Sequence, residues 1–219
     1  MKNSCIIVAG GTGSRMGGEI PKQFLLVKGI PVLMYTIRNF YEFDKSLQLI
    51  LVLPENELTN WNSLCLNHDF KIPHQLIAGG DTRFQSVKNG LSLAQDCDLI
   101  AVHDGVRPLV SRETLSRCFN CAGEKGAAIP VLPANESVRE GSMSESVPVD
   151  RSRYFMVQTP QVFKASIIKA GYQQEWIPEF TDDASVVEHS GVTVHLVMGN
   201  RENIKITFPE DLQIAALFL

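Results

Sequence analysis

Residues 5–23 constrain the fold of this chain more than any other stretch. A short apolar run over 5–9 is typical of a buried strand, and glycines follow it at positions 10, 11, 13, 17 and 18. Glycine tolerates a positive φ and lets the backbone come close to a ligand, and successive exposed N–H groups in such a loop form an anion-binding concavity. Two cations, Arg15 and Lys22, lie in the same stretch. The pattern predicts a phosphate-binding loop directly after the first strand.

Two familiar glycine-loop motifs do not fit this stretch. The dinucleotide-binding fingerprint requires a third glycine where this chain has Met16, and Pro21 argues against an unbroken helix from Gly13 onward. The P-loop requires Gly-Lys-Ser/Thr, whereas Lys22 follows a proline. An ordinary strand-to-helix turn is the remaining alternative, but such a turn does not need this many glycines together with an Arg and a Lys. We therefore predict that the loop binds a nucleoside triphosphate.

Apolar runs alternate with amphipathic stretches along most of the 219 residues. This alternation predicts an α/β fold with a parallel sheet covered on both faces, and the length suits one domain over 1–219. The predicted strands are 5–9, 47–53, 75–77, 99–103, 127–132, 154–157, 192–197 and 203–207. The predicted helices begin at 31, 55, after Gly79-Gly80, and at 112, 164, 183 and 209.

Residues 133–150 break the alternation, because they are polar and rich in serine. The segments 134–140 and 146–153 could pair as a hairpin around Gly141-Ser142. An isolated polar hairpin is only marginally stable in water. From the residues alone, a mobile loop and an arm that packs on a partner are equally open.

Charge and cysteine usage exclude several classes of protein. The net charge of −4, from 24 acids and 20 bases, disfavours general binding to nucleic acid or to a membrane surface. Cys118-x-x-Cys121 is the one cysteine pair that could suggest metal or redox chemistry, but Leu115, Cys118 and Phe119 share a helical stripe, which favours core packing. No secretory signal pattern and no 18-residue apolar run occurs. We expect a soluble, reduced, cytoplasmic protein.

Two further turns carry residues suited to ligand binding. Asp104 comes at the end of an apolar strand, where ligands bind in open α/β sheets. It is either an Mg²⁺ ligand beside bound phosphates or a turn residue paired with Arg107, and the residues alone leave this open. Gly80, Asp81 and Ser86 form a second glycine turn before a helix. They could hold a ribose and base, or Asp81 could simply be the N-cap.

Several segments together resemble a known family. They are Ala9-Gly-Gly-Thr-Gly-Ser-Arg-Met16, Pro21-Lys-Gln-Phe24, 79–87, 102–108, Asp150-Arg151, 158–161, 180–185 and 203–207. In this order and over nearly the whole chain, they resemble the 2-C-methyl-D-erythritol 4-phosphate cytidylyltransferase family of the sugar-phosphate nucleotidyltransferases.

The resemblance implies a Rossmann-like, mostly parallel twisted sheet with helices on both faces and a protruding β-hairpin arm. It implies transfer of the cytidylyl group of CTP to a polyol phosphate, 2-C-methyl-D-erythritol 4-phosphate, with Mg²⁺ as cofactor, in a homodimer joined through an arm at 133–153. The implied catalytic residues are Arg15 and Lys22. The implied nucleotide-binding residues are Ala9, Gly10, Gly11, Thr12, Gly13, Ser14, Gly80, Asp81, Ser86 and Gly105. The implied substrate-binding residues are Asp104, which is also the implied metal ligand, with Arg107, Ser137, Arg151, Thr159, Thr181 and Lys205. Arg151, at the base of the arm, is expected to serve the neighbouring subunit's site.

The chain departs from the family pattern at two places. Gly105-Val106 replaces the usual Ala-Ala, and Ser137-Val138-Arg139 replaces a threonine-containing segment of the arm. Thr181 also suits a helix N-cap, and Lys205 suits a charge on an edge strand. The alternatives are the same chemistry on ribitol 5-phosphate, a non-catalytic nucleotide-binding module, and a glycosyltransferase-like domain.

Overall fold

The computed structural model describes residues 2–11 and 20–219. The strands, in chain order, are β1 (Asn3–Val8), β2 (Leu26–Val27), β3 (Ile30–Pro31), β4 (Gln48–Leu53), β5 (Gln75–Ala78), β6 (Leu99–Asp104), β7 (Ala127–Pro133), β8 (Arg139–Gly141), β9 (Ser146–Pro148), β10 (Phe155–Val157), β11 (Gln161–Lys164) and β12 (His195–Met198). The α-helices are α1 (Val32–Phe43), α2 (Leu58–Asn67), α3 (Arg83–Leu93), α4 (Arg112–Lys125), α5 (Ala165–Gly171), α6 (Asp183–Glu188) and α7 (Pro209–Phe218).

An eight-stranded sheet forms the centre of the molecule. Strand β1 lies between β4 and β6 and pairs in parallel with both, and β5 extends the sheet in parallel beyond β4. On the other side of β6, β11 is antiparallel to both β6 and β7, β10 continues antiparallel along β7, and β12 pairs in parallel with the opposite edge of β7. The sheet is therefore mixed but mostly parallel, and the predicted fold class is confirmed.

Alternate side chains of the central strands enter two separate apolar cores. Cys5 and Ile7 of β1 face one layer, which contains Phe40 of α1 and Cys118 of α4. Ile6 faces the other layer with α3, α5 and α6. Cys118 is fully buried in the first of these cores, as the helical stripe predicted, and this burial raises the pKa of its thiol to about 12.

The structure differs from the predicted strands at several places, among them the two-residue strands β2 and β3, which were not predicted. Strand β11, Gln161–Lys164, was not predicted, because it is short and has no long apolar run. Residues 203–207 were predicted as a strand, but they form none. Of that segment, the Ile206 N–H donates to the Val106 carbonyl, and no ladder continues from it.

The predicted hairpin is present and shorter than expected. Strands β8 and β9 form a separate two-stranded antiparallel sheet, and the Ser142 N–H donates to the Glu145 carbonyl across its turn at 2.7 Å. The side chain of Arg139 also crosses the hairpin, with Nε donating to Ser146 Oγ at 2.8 Å. Among residues 2–11 and 20–219, no helix combines the length and apolar character needed to cross a bilayer.

Candidate active site

A pocket of about 620 Å³ opens at the carboxyl ends of β1, β4, β5 and β6. The chain runs from β1 outward to β4 and β5, and then returns to β6 on the opposite side of β1. This reversal is the topological switch point at which open α/β sheets bind ligands. The volume lies in the range of small-molecule and cofactor sites.

The end of β1 forms one wall of the pocket through Ala9, Gly10 and Gly11, and Lys22 lies next to them. A Cβ on Gly11 would lie 3.2 Å from Cε of Lys22, so the absence of a side chain leaves room for the lysine. The other predicted members of this loop, Thr12, Gly13, Ser14 and Arg15, lie outside the described residues.

The turn before α3 forms the opposite wall, with Gly80, Asp81 and Ser86. Ser86 Oγ accepts from the Gly80 N–H at 3.1 Å, which closes the turn. The N-cap of α3 is Thr82, whose Oγ1 accepts from the Gln85 N–H at 3.0 Å. The N-cap alternative for Asp81 is therefore wrong, and its exposed side chain lies at the pocket.

Asp104, at the end of β6, lies among three cationic side chains. Its Oδ2 is 3.0 Å from Lys205 Nζ and 3.3 Å from Arg107 Nε, and its Oδ1 is 3.9 Å from Arg83 Nη2. Burial by itself raises the pKa of the Asp104 carboxyl, but Arg83, Lys205 and Arg107 together hold it well below its usual range. The site therefore presents a fixed, ionised carboxylate beside the pocket.

A buried hydrogen-bond chain supports Asp104 from behind. The Asp104 N–H donates to Thr159 Oγ1 at 3.1 Å, and this oxygen lies 3.0 Å from His103 Nδ1. His103 Nε2 lies 3.1 Å from the Arg107 carbonyl. A neutral imidazole with its proton on Nε2 satisfies all of these groups. Burial lowers the pKa of His103 to about 4, which agrees with that neutral form.

A family model described as 2-C-methyl-D-erythritol 4-phosphate cytidylyltransferase matches residues 4–219. The chain belongs to this family. The 2-C-methyl-D-erythritol 4-phosphate cytidylyltransferase of Bacteroides fragilis is 53% identical to this chain over 219 residues. The alignment covers 100% of each of the two proteins.

Solved structures of members of the cytidylyltransferase family share the fold. The 4-diphosphocytidyl-2C-methyl-D-erythritol synthase of Anaerococcus prevotii has a TM-score of 0.83 and 27% identity, covering 99% of this chain and 95% of its own. The 2-C-methyl-D-erythritol 4-phosphate cytidylyltransferase of Thermus thermophilus has a TM-score of 0.80 and 30% identity, covering 99% and 98%. The family predicted from the sequence motifs is confirmed.

Three predicted site residues of this cytidylyltransferase family member lie behind the pocket rather than in its wall. Gly105 donates its N–H to the Val8 carbonyl at 2.8 Å and accepts from Thr36 Oγ1 at 2.9 Å. Arg107 donates from Nη1 to the Asn203 carbonyl at 2.7 Å, in addition to its contact with Asp104. Thr159 is occupied by the buried chain described above. In this placement the Gly105 backbone, the Arg107 guanidinium and the Thr159 hydroxyl all have partners within the protein, and their predicted ligand contacts stay predictions.

The remaining predicted acceptor residues lie apart from the described pocket wall. Thr181 is exposed and is not the N-cap of α6, because Asp182 fills that position in a capping box with Ser185. Ser137 and Arg151 belong to the arm, where Arg151 Nη1 donates to the Asn135 carbonyl at 2.7 Å.

Sequence reasoning missed Arg83 and Asp183, which the structure joins next to Asp104. Arg83 donates from Nη1 and Nη2 to the two oxygens of Asp183 at 2.8 and 2.7 Å. Both residues stand inside the motifs that carried the family resemblance, 79–87 and 180–185. No local spacing rule connects them, because they are 100 positions apart in the chain.

The surroundings of Asp104 do not suit direct coordination of Mg²⁺. Its Oδ2 already faces Lys205 and Arg107, and Arg83 lies beside Oδ1. Within the part of the chain that the structure describes, no group of three or more His, Cys, Asp or Glu side chains could hold a metal. A divalent cation bound directly to Asp104 would therefore lie close to three positive charges, which the predicted metal role did not anticipate.

Proposed function

We propose that this protein transfers the cytidylyl group of CTP to 2-C-methyl-D-erythritol 4-phosphate and releases pyrophosphate. The observation that carries the proposal is one pocket at the switch point that combines the glycine turns of β1 and β5 with Lys22, Asp104 and Lys205. Family membership supports the choice of nucleotide and acceptor.

The reaction follows from the chemistry of the two anions. A phosphate oxygen of the acceptor attacks the α-phosphorus of CTP, a new P–O bond forms, and the bond to the bridging oxygen breaks so that pyrophosphate leaves with the electron pair. The acceptor phosphate is already ionised near neutral pH, so no side chain has to remove a proton. Catalysis then consists of aligning the two anions and stabilising charge in the transition state.

Lys22 is proposed to stabilise the charge that develops around the α-phosphate. It lines the pocket beside Gly10 and Gly11 at the end of β1. Removal of one preorganised donor of this kind costs on the order of 10²–10³ in rate. Lys22→Ala should lose activity by that factor while it still folds, and near-normal turnover would contradict the role. Arg15 is proposed to act with Lys22.

The nucleotide is proposed to bind between the two glycine turns, with Gly80, Asp81 and Ser86 on the side of the ribose and base. The acceptor is proposed to bind on the side of Asp104 and Lys205. Lys205 is half exposed and lines the pocket, so it is available to an acceptor phosphate as well as to Asp104.

A pyrophosphate-release assay with CTP and Mg²⁺ tests the proposal when run in parallel with 2-C-methyl-D-erythritol 4-phosphate and ribitol 5-phosphate. Release that depends on the first acceptor is the expected result. Release with ribitol 5-phosphate alone would show that the acceptor and its binding residues were assigned wrongly. No release with either acceptor would indicate a nucleotide-binding module or a glycosyltransferase-like activity.

We further propose a homodimer in which the arm at 133–153 reaches the partner's pocket. All three residues of β10 are exposed and apolar, with Met156 at 62%. Leu196 and Met198 add exposed apolar side chains from β12, which pairs with the other edge of β7. Burial of such a surface in a second copy is favourable, and it would let Ser137 and Arg151 serve a site they do not line in their own chain.

Mg²⁺ is proposed to enter bound to the oxygens of the triphosphate, and when bound it would neutralise part of the phosphate charge. Titration of the protein with CTP by calorimetry, with and without Mg²⁺, tests whether the ion strengthens nucleotide binding.

A cytoplasmic location is also proposed, since free cysteines such as Cys5 and Cys118 are usual in reducing compartments.

A further inference from the structure

Arg83 is held at the edge of the pocket by a buried anchor. Its two terminal nitrogens donate to the two oxygens of Asp183, whose side chain is 0% exposed. The Tyr172 hydroxyl donates to the same carboxylate at 2.6 Å. The anchor therefore connects the start of α3 with α5 and α6, and it fixes the plane of the guanidinium.

The guanidinium still has donors to offer after this pairing. An Arg side chain carries five N–H groups, and the contacts with Asp183 use one hydrogen on each terminal nitrogen. Among the described residues, no acceptor lies within hydrogen-bond distance of the rest. Arg83 also lines the pocket, and its side chain is 31% exposed although its anchor is fully buried. Its remaining donors are thus available to a molecule in the pocket.

The gap between Arg83 and Asp104 has a specific chemical character. Nη2 of Arg83 is 3.9 Å from Oδ1 of Asp104, which is too long for a direct hydrogen bond. One side of the gap is a donor and the other is an ionised acceptor. A hydroxyl group can accept from the first and donate to the second, and polar groups separated by this distance commonly share a bridging hydroxyl or water.

We propose that Arg83 is a further substrate-binding residue and that, with Asp104, it recognises a hydroxyl group of a ligand in the pocket. The inference rests on the proposed function, in which both ligands carry hydroxyls: the ribose of CTP and the polyol of the acceptor. The shared chemistry is the hydroxyl, and the experiment distinguishes the two sources.

A purely structural ion pair accounts less well for these observations. Buried ion pairs stabilise a fold weakly, and apolar side chains often replace them without loss. A structural pair would also not need to expose one member to the pocket. The bidentate anchor instead limits the guanidinium to one orientation, which reduces the entropy lost when a ligand binds.

The experiment combines substrate analogues with variants of Arg83. The kcat/KM of pyrophosphate release is measured with CTP, 2′-deoxy-CTP and 3′-deoxy-CTP, and with 2-C-methyl-D-erythritol 4-phosphate and its single-deoxy analogues. Each substrate is tested with the wild type, with Arg83→Lys and with the double variant Arg83→Met/Asp183→Asn. Lysine keeps the charge but cannot form the fork and reach a hydroxyl together. The double variant removes both buried charges, which avoids leaving Asp183 unpaired.

With the wild type, kcat/KM for one analogue should be about 10- to 100-fold lower than for its parent substrate, as expected for the loss of a hydrogen bond to a charged donor. In either Arg83 variant, kcat/KM for that analogue should be close to the value for the parent substrate, because the variant no longer forms the hydrogen bond with the hydroxyl. The position of the missing hydroxyl, on ribose or on polyol, identifies the source. Equal losses with every analogue in every variant, or no loss from the substitutions at Arg83, would overturn the proposal.

Two controls distinguish a failure of this proposal from a failure of the proposed function and from misfolding of a variant. Arg112→Lys changes an arginine that contacts the Glu42 carbonyl and the Phe43 ring away from the pocket, and it should leave all substrates unchanged. Thermal unfolding of each variant reports its fold. If the wild type releases no pyrophosphate, the proposed function fails. If it does but the losses are additive, only the role of Arg83 fails.

Discussion

The hydroxyl of Thr159 lies 3.0 Å from Nδ1 of His103 and accepts the backbone N–H of Asp104 at 3.1 Å. One oxygen thus joins the cis-proline segment before β11 to the carboxyl end of β6, where Asp104 lines the pocket. Thr159 was predicted to bind substrate, but its side chain is buried and its hydroxyl is occupied within the protein. It supports the residue that faces the pocket.

Thr159→Val should damage both stability and activity, because valine keeps the shape but removes the hydroxyl. The Asp104 N–H and His103 Nδ1 would lose their partner, at a cost of about 1–3 kcal/mol in the free energy of unfolding. Thr159→Ser, which keeps the hydroxyl, is the matched control. Urea unfolding and kcat/KM measure the two effects, and equal behaviour of the two variants would contradict the role of the hydroxyl.

His103 should make the protein less stable as the pH falls from about 6.5 to about 4. Burial lowers its pKa from 6.5 to about 4, so in this window the unfolded chain binds a proton that the folded protein does not. Stability therefore rises with pH across the window and is fully present above it. The difference corresponds to about 3 kcal/mol.

Urea unfolding of the wild type and of His103→Gln at several pH values measures this effect. The two proteins differ only at position 103, so the difference between the two curves isolates His103. The wild-type curve should fall more steeply between pH 6.5 and 4. Parallel curves would show that the imidazole is not neutral in the folded state.

Lys205→Met should reduce kcat/KM by about 10-fold or more with little loss of stability. The lysine is 45% exposed, and ion pairs that water can reach contribute only about 0–1 kcal/mol to folding. Its effect on activity should instead come from the loss of a cation beside Asp104 and the acceptor phosphate. Lys71→Met, which breaks the exposed pair with Asp69 at 2.7 Å, is the control. A large fall in unfolding temperature for Lys205→Met alone would assign it a structural role.

Mixed dimers test whether the arm serves the partner's site. Lys22→Ala disables a pocket but leaves its arm intact, and Arg151→Ala does the reverse. If arms cross between subunits, coexpressed dimers with one chain of each kind should recover activity, because the intact pocket receives the intact arm. If each arm serves its own chain, the mixed dimer stays as inactive as either parent, and the arm proposal is wrong.

The sheet could be predicted from the sequence because its strands carry long apolar runs. Strands β4 and β6 bury almost every side chain, so their apolar runs were unambiguous. Residues 203–207 instead alternate polar and apolar side chains, a pattern that also predicts a strand, yet only Ile206 makes a strand-like hydrogen bond. Local pattern does not decide whether a segment has a strand beside it to pair with.

The residues that line the pocket were predicted better than the residues that hold them in position. Gly10, Gly11, Lys22, Gly80 and Asp104 follow from glycine turns and from charges at strand ends, and the structure brings them together. Arg83 and Asp183 could not be found in this way, because their pairing depends on α3 and α6 meeting across the fold. Thr82 and Asp182 took the caps predicted for their neighbours, because cap preferences do not distinguish adjacent polar residues.

Helix α3 lies on the sheet at Gly90, where a Cβ would come within 2.7 Å of Cγ2 of Ile6 and 3.1 Å of Cγ2 of Val52. Toward its N-terminus the same helix carries Ser86 about 6 Å and Arg83 about 10 Å away along its axis. Any side chain at position 90 would clash with the sheet and push this end of α3 away from it. The other end of the helix would then shift relative to the pocket. The geometry of the site is therefore set in part by a residue that no ligand can reach.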